Sequence, residues 1–322
     1  MGQASVGPSK HHEPRKGYPT VSNPKLIAVD WGTSSLRIYA VGDKRDVLEA
    51  LELPQGILTV TDQGFEAGLQ DALALLAVNA EEAPVILSGM IGSRQGWVEA
   101  PYVKCPATID DLAARTVSVD NALGRAIKLV PGLETRSSAG CPDVIRGEET
   151  QIFGALAALK IKEGRFVLPG THSKWVTVTD SQIESYQTYM TGEVFSALKE
   201  HTILGRMMFK PGNDKAFERG VAASTEDGAP GRLLNQIFAT RTLGLFGEVT
   251  DEEAASYLSG LLIGSEIRDG ARDHKGLLYI MAGSTLSDRY VRAAHELSLQ
   301  TRAIDPGSVV QGHCSIAEAA GI

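Results

Sequence analysis

At 322 residues, with 43% hydrophobic and 22% charged side chains, the chain is long enough for two ordinary domains and a large buried core. Its formal net charge of −8 leaves no basic surface to attract nucleic acid, and an anionic membrane would repel it. The three cysteines, Cys105, Cys141 and Cys314, are widely spaced and form neither a disulfide framework nor a metal-ligand motif, which points to a reducing cytoplasm.

Residues 1–22 carry Lys10, His11, His12, Arg15 and Lys16 without an apolar stretch, the pattern of a disordered tail rather than a signal peptide. No apolar run anywhere approaches the roughly 18 residues of a membrane span. The folded part opens on Leu26-Ile27-Ala28-Val29, read as a buried strand. A Gly/Thr/Ser turn follows, then a second strand over Leu36–Val41 and a third within 46–53, closed by Pro54-Gln55-Gly56. The spacing of Phe65, Leu69, Leu73 and Leu76 predicts an amphipathic helix over 65–79. Pro84-Val85-Ile86-Leu87 is another buried strand, breaking at Ser88-Gly89-Met90-Ile91-Gly92.

The second half repeats the theme. Phe166-Val167-Leu168 leads into the turn Pro169-Gly170-Thr171-His172-Ser173, and Trp175–Val178 and Glu184–Tyr189 read as the next strands. Helices are expected over 152–159, 192–204, 287–297 and 315–320, with a strand over 277–281 before Ala282-Gly283-Ser284. Gly32-Thr33-Ser34-Ser35 falls over Gly170-Thr171-His172-Ser173, each between two strands. That is a short internal duplication, and it predicts two α/β lobes facing across a cleft, 23–140 and 141–322.

The first turn carries the clearest chemistry. Glycine lets backbone approach a ligand, and successive N–H groups in such a turn make a concave anion site. Thr33, Ser34 and Ser35 add hydroxyl donors, Asp30 at the strand end suits Mg²⁺, and Arg37 is within a strand's reach of phosphate. A plain β-turn explains the same composition. The second turn adds Lys174 as a phosphate contact, with His172 read as a turn histidine rather than a base. Asp143, Glu148 and Glu149 surround Arg146 before the apolar run 152–159; they suit a helix N-terminus or, equally, a general base. In the loop 88–101, Arg94 is the candidate clasp for a substrate carboxylate, and Trp97 lines a sugar face or caps the core. No P-loop, dinucleotide-binding glycine motif, nucleophile elbow or H-E-x-x-H is present, so the paired turns must handle any phosphate.

Asp30-Trp31-Gly32-Thr33-Ser34-Ser35-Leu36-Arg37 resembles the first phosphate motif of the actin-like ATPases and sugar kinases, Leu168–Trp175 their second, and Ala282-Gly283-Ser284 their adenosine motif. The strings at 87–97, 146–151, 169–175 and 257–264 narrow the resemblance to the 2-dehydro-3-deoxygalactonokinase family, over nearly everything from Leu26 onward. That resemblance implies a two-lobed actin-like ATPase (ribonuclease H-like) fold. It further implies transfer of phosphate from ATP, with Mg²⁺, to the 6-hydroxyl of 2-dehydro-3-deoxy-D-galactonate in galactonate and galactose catabolism.

By position, Asp30 is implied to hold the metal, Gly32–Ser35 and Gly170–Lys174 the ATP phosphates, and Ala282, Gly283 and Ser284 the adenosine. Ser93, Arg94, Gln95 and Trp97 are implied to contact the substrate. The base aspartate of related sugar kinases is not at its usual place; Glu149 is preferred here, then Glu148, then Asp143. The competing readings are a kinase of the same fold for another sugar acid or polyol, and a non-kinase ATPase of the superfamily. The expected partners are ATP and a small sugar acid, with a homodimer as the commonest assembly.

Overall fold

The computed structural model describes residues 23–60, 64–208, 213–224 and 232–322. The tail expected over 1–22 lies outside the described residues. In chain order the first part contains β1 (Leu26–Trp31), β2 (Leu36–Val41), β3 (Val47–Leu53), α1 (Gly64–Leu73) and β4 (Val85–Ser88). Then come β5 (Tyr102–Lys104), α2 (Ile109–Ala113), β6 (Val117–Ser118), β7 (Ile127–Leu129), β8 (Gly132–Arg136), β9 (Pro142–Ile145) and α3 (Glu148–Leu159). The second part holds β10 (Gly164–Leu168), β11 (Ser173–Thr179), β12 (Gln182–Tyr189), α4 (Thr191–His201), α5 (Asp214–Ala223), α6 (Leu233–Leu245) and α7 (Ala254–Gly270). It closes with β13 (Leu278–Met281), α8 (Ser284–Glu296), β14 (Thr301–Ile304) and α9 (Val309–Ala319).

The first sheet runs β3-β2-β1-β4-β7-β6 and the second β12-β11-β10-β13-β14. In both, the first strand of an antiparallel three-stranded meander pairs in parallel with a later strand, β4 or β13, which in turn pairs in parallel with β7 or β14. The four-position repeat seen in the turns is therefore one corner of a duplicated unit. β1 is apolar from Leu26 to Val29 because it is central and covered on both faces. β2 alternates, burying Leu36, Ile38 and Ala40. A third, small sheet of order β5-β8-β9 was not foreseen. Its strands are three to five residues long, too short for a readable period.

The largest apolar cluster lies between the two main sheets. It takes Ala28 and Ile86 from the first, Phe166 and Val176 from the second, and Phe153, Leu156, Val310 and Ile316 from α3 and α9. The alternate residues of β1, Ile27 and Val29, face the opposite way, into a cluster with Leu69 of α1. Val167, Trp175, Ile280 and Tyr290 form the outer core of the second sheet, under α5, α7 and α8. α3 and α9 cross closely because each presents glycine. A Cβ on Gly312 would stand 2.0 Å from the Thr150 carbonyl, and one on Gly154 2.2 Å from that of Ser308.

Element ends differ from the sequence reading for local reasons. α3 starts at Glu148, since Gly147 breaks the chain at φ +104 just before it. α1 stops at Leu73, and the Glu49 carboxylate takes up the N–H groups of Ala77 and Val78 beyond it. The last helix starts at Val309 and packs on β1 and β4 of the first sheet as well as on α3.

Candidate active site

Asp30 stands at the end of β1, level with Arg37 on β2 and Ser88 on β4. Its side chain is 12% exposed, with Arg37 Nη1 3.6 Å from Oδ2. Burial pushes its pKa up to about 6; Arg37 pulls it down, and the charge of Glu148 raises it further. The turn after it is closed by Gly32 N donating to Ser35 O at 2.9 Å. It is braced from behind by Ile57 N on the Gly32 carbonyl at 3.0 Å and by Trp31 Nε1 on the Gln55 carbonyl at 2.8 Å. Thr33 and Ser34 are exposed.

Two glycines let the next pieces close on this corner. Gly89, at the end of β4, has φ +92, and a Cβ there would fall 2.8 Å from the Trp31 carbonyl and 3.2 Å from Asp30 Oδ1. Gly147 would meet Gly89 Cα at 3.1 Å and Asp30 Oδ1 at 3.9 Å. The N-terminus of α3 thus touches the ends of β1 and β4. Among the α3 carboxylates, Glu148 is partly open, with its side chain 25% exposed. Glu149 is fully enclosed; it accepts from Gly147 N at 2.7 Å and from Thr150 Oγ1 at 3.0 Å. Burial first, then the charge of Glu148, push its pKa up to about 7. Asp143 lies elsewhere: it binds Thr188 N at 2.9 Å and Thr188 Oγ1 at 2.8 Å, tying β9 to β12.

The second turn is held by α4. Glu193 N donates to the Thr171 carbonyl at 3.0 Å, and the Glu193 carboxylate pairs with His172. A Cβ on Gly192 would stand 2.5 Å from the Gly170 carbonyl. Thr171 and His172 are exposed, while Ser173 and Lys174 are buried. Lys174 Nζ donates to the His172 carbonyl at 3.0 Å and lies 3.7 Å from Glu148 Oε1. That contact brings the second turn to the α3 N-terminus, and so to Asp30. Ser173 Oγ bonds Tyr290 OH at 2.9 Å, and Tyr290 in turn donates to the buried Glu266 at 2.6 Å.

Ala282 and Gly283 lie between β13 and α8, and Ser284 opens α8. Gly283 and Ser284 are exposed, with open space around Gly283. In the 88–101 loop, Gly96 N bonds the Ser93 carbonyl and Trp97 N the Ile91 carbonyl. Trp97 is half-buried and packs on the first sheet's outer core. Arg94 and Gln95 reach solvent, Arg94 with 87% of its side chain exposed and 3.5 Å from Glu99. The arginine that reaches this loop is Arg146, from the segment before α3, with Nη2 donating to the Ala100 carbonyl; the sequence reading named it beside the α3 carboxylates and not as a substrate contact.

For Mg²⁺ the donors at this corner are carboxylate oxygens, the type it selects, and it ordinarily takes one or two of them beside phosphate and water. Among the described residues no group of three or more His, Cys, Asp or Glu converges on one point. A single carboxylate at Asp30 fits that habit.

Two sheets of one strand order, each offering a glycine-rich turn from its first hairpin, with the α3–α9 pair between them, define a duplicated α/β fold that brings both turns to one corner. The chain belongs to the 2-keto-3-deoxy-galactonokinase family, whose model matches residues 30–316. It is 36% identical over 298 residues to a Rhizobium meliloti (strain 1021) protein named as a 2-dehydro-3-deoxygalactonokinase, covering 90% of this chain and 95% of that one. It is 33% identical over 301 residues to the 2-dehydro-3-deoxygalactonokinase of Escherichia coli (strain K12), covering 92% and 98%. The crystal structure of a Sinorhizobium meliloti protein assigned to the same activity superposes with a TM-score of 0.83 at 34% identity, over 91% of this chain and 98% of that one.

Proposed function

We propose that this chain is an ATP-dependent kinase that phosphorylates the 6-hydroxyl of 2-dehydro-3-deoxy-D-galactonate in cytoplasmic galactonate breakdown. The observation that carries the reading is the junction of Asp30, the Gly32–Ser35 turn, Gly89, Glu148 and Lys174, where both repeats meet. Phosphoryl transfer asks chiefly for positioning and charge neutralisation, and this junction supplies both.

In this reading, N–H and hydroxyl groups of Gly32, Thr33, Ser34 and Ser35 take one side of the phosphate chain. Gly170, Thr171, His172, Ser173 and Lys174 take the other, and Ala282, Gly283 and Ser284 lie beside adenosine. Asp30 would hold Mg²⁺, which would supply neutralisation of the developing phosphate charge. Lys174 leaves Glu148 for phosphate, so that the carboxylate is freed as the nucleotide is gripped. Glu148 then takes the acceptor's proton. A base must first reach its proton, and Glu148 is the α3 carboxylate open to the cleft, whereas Glu149 is shut behind it. The chain passes from the first repeat to the second through the β8–β9 hairpin and α3, and α9 returns to the first.

A coupled kinase assay tests this. Asp30→Ala should abolish acid-dependent ADP release while the thermal transition is retained. Glu148→Gln should lower kcat by about 10²-fold without raising KM for ATP, since it releases Lys174 from its carboxylate partner. The galactonate-derived acceptor should outperform its gluconate epimer. Full activity of the Asp30 variant, or turnover indifferent to any sugar acid, defeats the reading.

A further inference from the structure

Arg146 precedes the Gly147 break and is 8% exposed. Its backbone N–H donates to Glu148 Oε2 at 2.9 Å, and Nη2 donates to the Ala100 carbonyl at 2.8 Å. The guanidinium carbon sits 4.4 Å from the centre of the Tyr102 ring. Nε and Nη1 are closed off from solvent without a hydrogen-bond partner. Among the described residues Arg146 joins no ion pair, although the other arginine ion pairs are mostly at the surface.

A guanidinium taken out of water is strongly unfavourable unless an anion meets it, and each unspent buried N–H asks for a reason. A second orphan lies beside it. A Cβ on Gly92 would come 3.0 Å from Nη1, so the 88–101 loop rests directly on the charge. The next residue, Ser93, has its hydroxyl buried and unpartnered as well. One cation and one hydroxyl, both unspent, therefore flank Gly92, beneath the loop placed at the acceptor.

We infer that Arg146, with Ser93, binds the carboxylate of the acceptor acid and sets the preference for acids over neutral sugars; this rests on the function proposed above. Gly147, the next residue, touches the Asp30 corner, so the acid group is anchored from the same segment that presents the base. Tyr102 packs on the guanidinium and is itself 38% exposed. Arg94 is already solvated beside Glu99, and an exposed arginine of that kind contributes little.

The test compares two acceptors on the full chain: the sugar acid, and the same compound with its carboxylate reduced to a primary alcohol. Wild type should favour the acid. Arg146→Gln should lower kcat/KM on the acid by about 10²-fold more than on the neutral acceptor. Ser93→Ala, which disturbs no packed charge, should narrow the preference by about tenfold and carries the test if the arginine variant fails to fold. Equal losses on both acceptors would make Arg146 a brace for the loop and overturn the inference. Wild type without activity on any sugar acid would instead remove the function reading, and this inference with it.

Discussion

His313 of α9 and Glu149 of α3 are both fully buried beside the junction, and their burial acts on stability with opposite signs. His313 Nε2 lies 2.8 Å from Ser88 Oγ, and burial lowers its pKa to about 4. The unfolded chain therefore binds more protons than the folded one between about 4 and the ordinary histidine range near 6.5. Its contribution is complete above that range and is lost as pH falls toward 4. For Glu149 the folded pKa of about 7 is above the ordinary carboxylate value. Its contribution is complete at low pH and is lost as pH rises through 7. Each shift corresponds to about 3 kcal/mol at its limit. Denaturant unfolding across pH 4 to 8 should show wild type losing stability relative to Glu149→Gln as pH rises, and gaining it relative to His313→Gln. Parallel curves for all three proteins would show that neither group titrates as its burial demands. The partner of His313 was not legible in the sequence, since Ser88 and His313 are brought together only when α9 returns to the first sheet, whereas Glu149 is met by its neighbours Gly147 and Thr150.

Among the elements, the α3–α9 crossing is where the site and the core share atoms. Gly312→Ala would set a Cβ 2.0 Å from the Thr150 carbonyl and 2.9 Å from Gly154 N, both backbone, so the helices must part. Overpacking of this kind costs about 1–3 kcal/mol, and the better helix propensity of alanine returns less than about 1. The variant should unfold at lower denaturant and lose kcat, because Thr150 lies two residues beyond Glu148, the base proposed above, on the same helix. A variant as stable and active as wild type would show that the crossing has slack. The strands at Leu26 and Phe166 and their glycine turns were readable because central strands are continuously apolar and end abruptly. α7 was not: Tyr257 to Gly264 is buried without a break, so no amphipathic stripe marks it. The two glycine-rich turns could be matched by eye, but not the Lys174–Glu148 contact, which depends on how the two sheets stack. Arg94 drew notice as the arginine in a glycine-rich loop, whereas the buried arginine comes from the segment beneath that loop.

At the level of the whole molecule, a duplicated unit with a cleft suggests two lobes that fold separately, and the distribution of apolar contacts argues otherwise. The largest cluster takes side chains from both main sheets, from the small third sheet through Leu133 and Ile145, and from α3 and α9 between them. α9 comes last in the chain yet packs on β1 and β4, while Arg45 pairs with Glu318 and Gln311 Nε2 donates to the Arg45 carbonyl at 3.1 Å. Unfolding either sheet alone would therefore expose the inner face of the other and the sides of both helices. Calorimetry of the full chain should show a single transition whose calorimetric and van't Hoff enthalpies agree. Removing residues 309–322 should abolish that transition rather than lower it slightly, because the inner face of the first sheet loses its cover. Two resolved transitions, or a truncated chain that still melts cooperatively, would mean that the lobes are held together only by the cleft and its ligands. In that case ATP should draw the two transitions together, since a ligand gripped by both turns stabilises only the joined state.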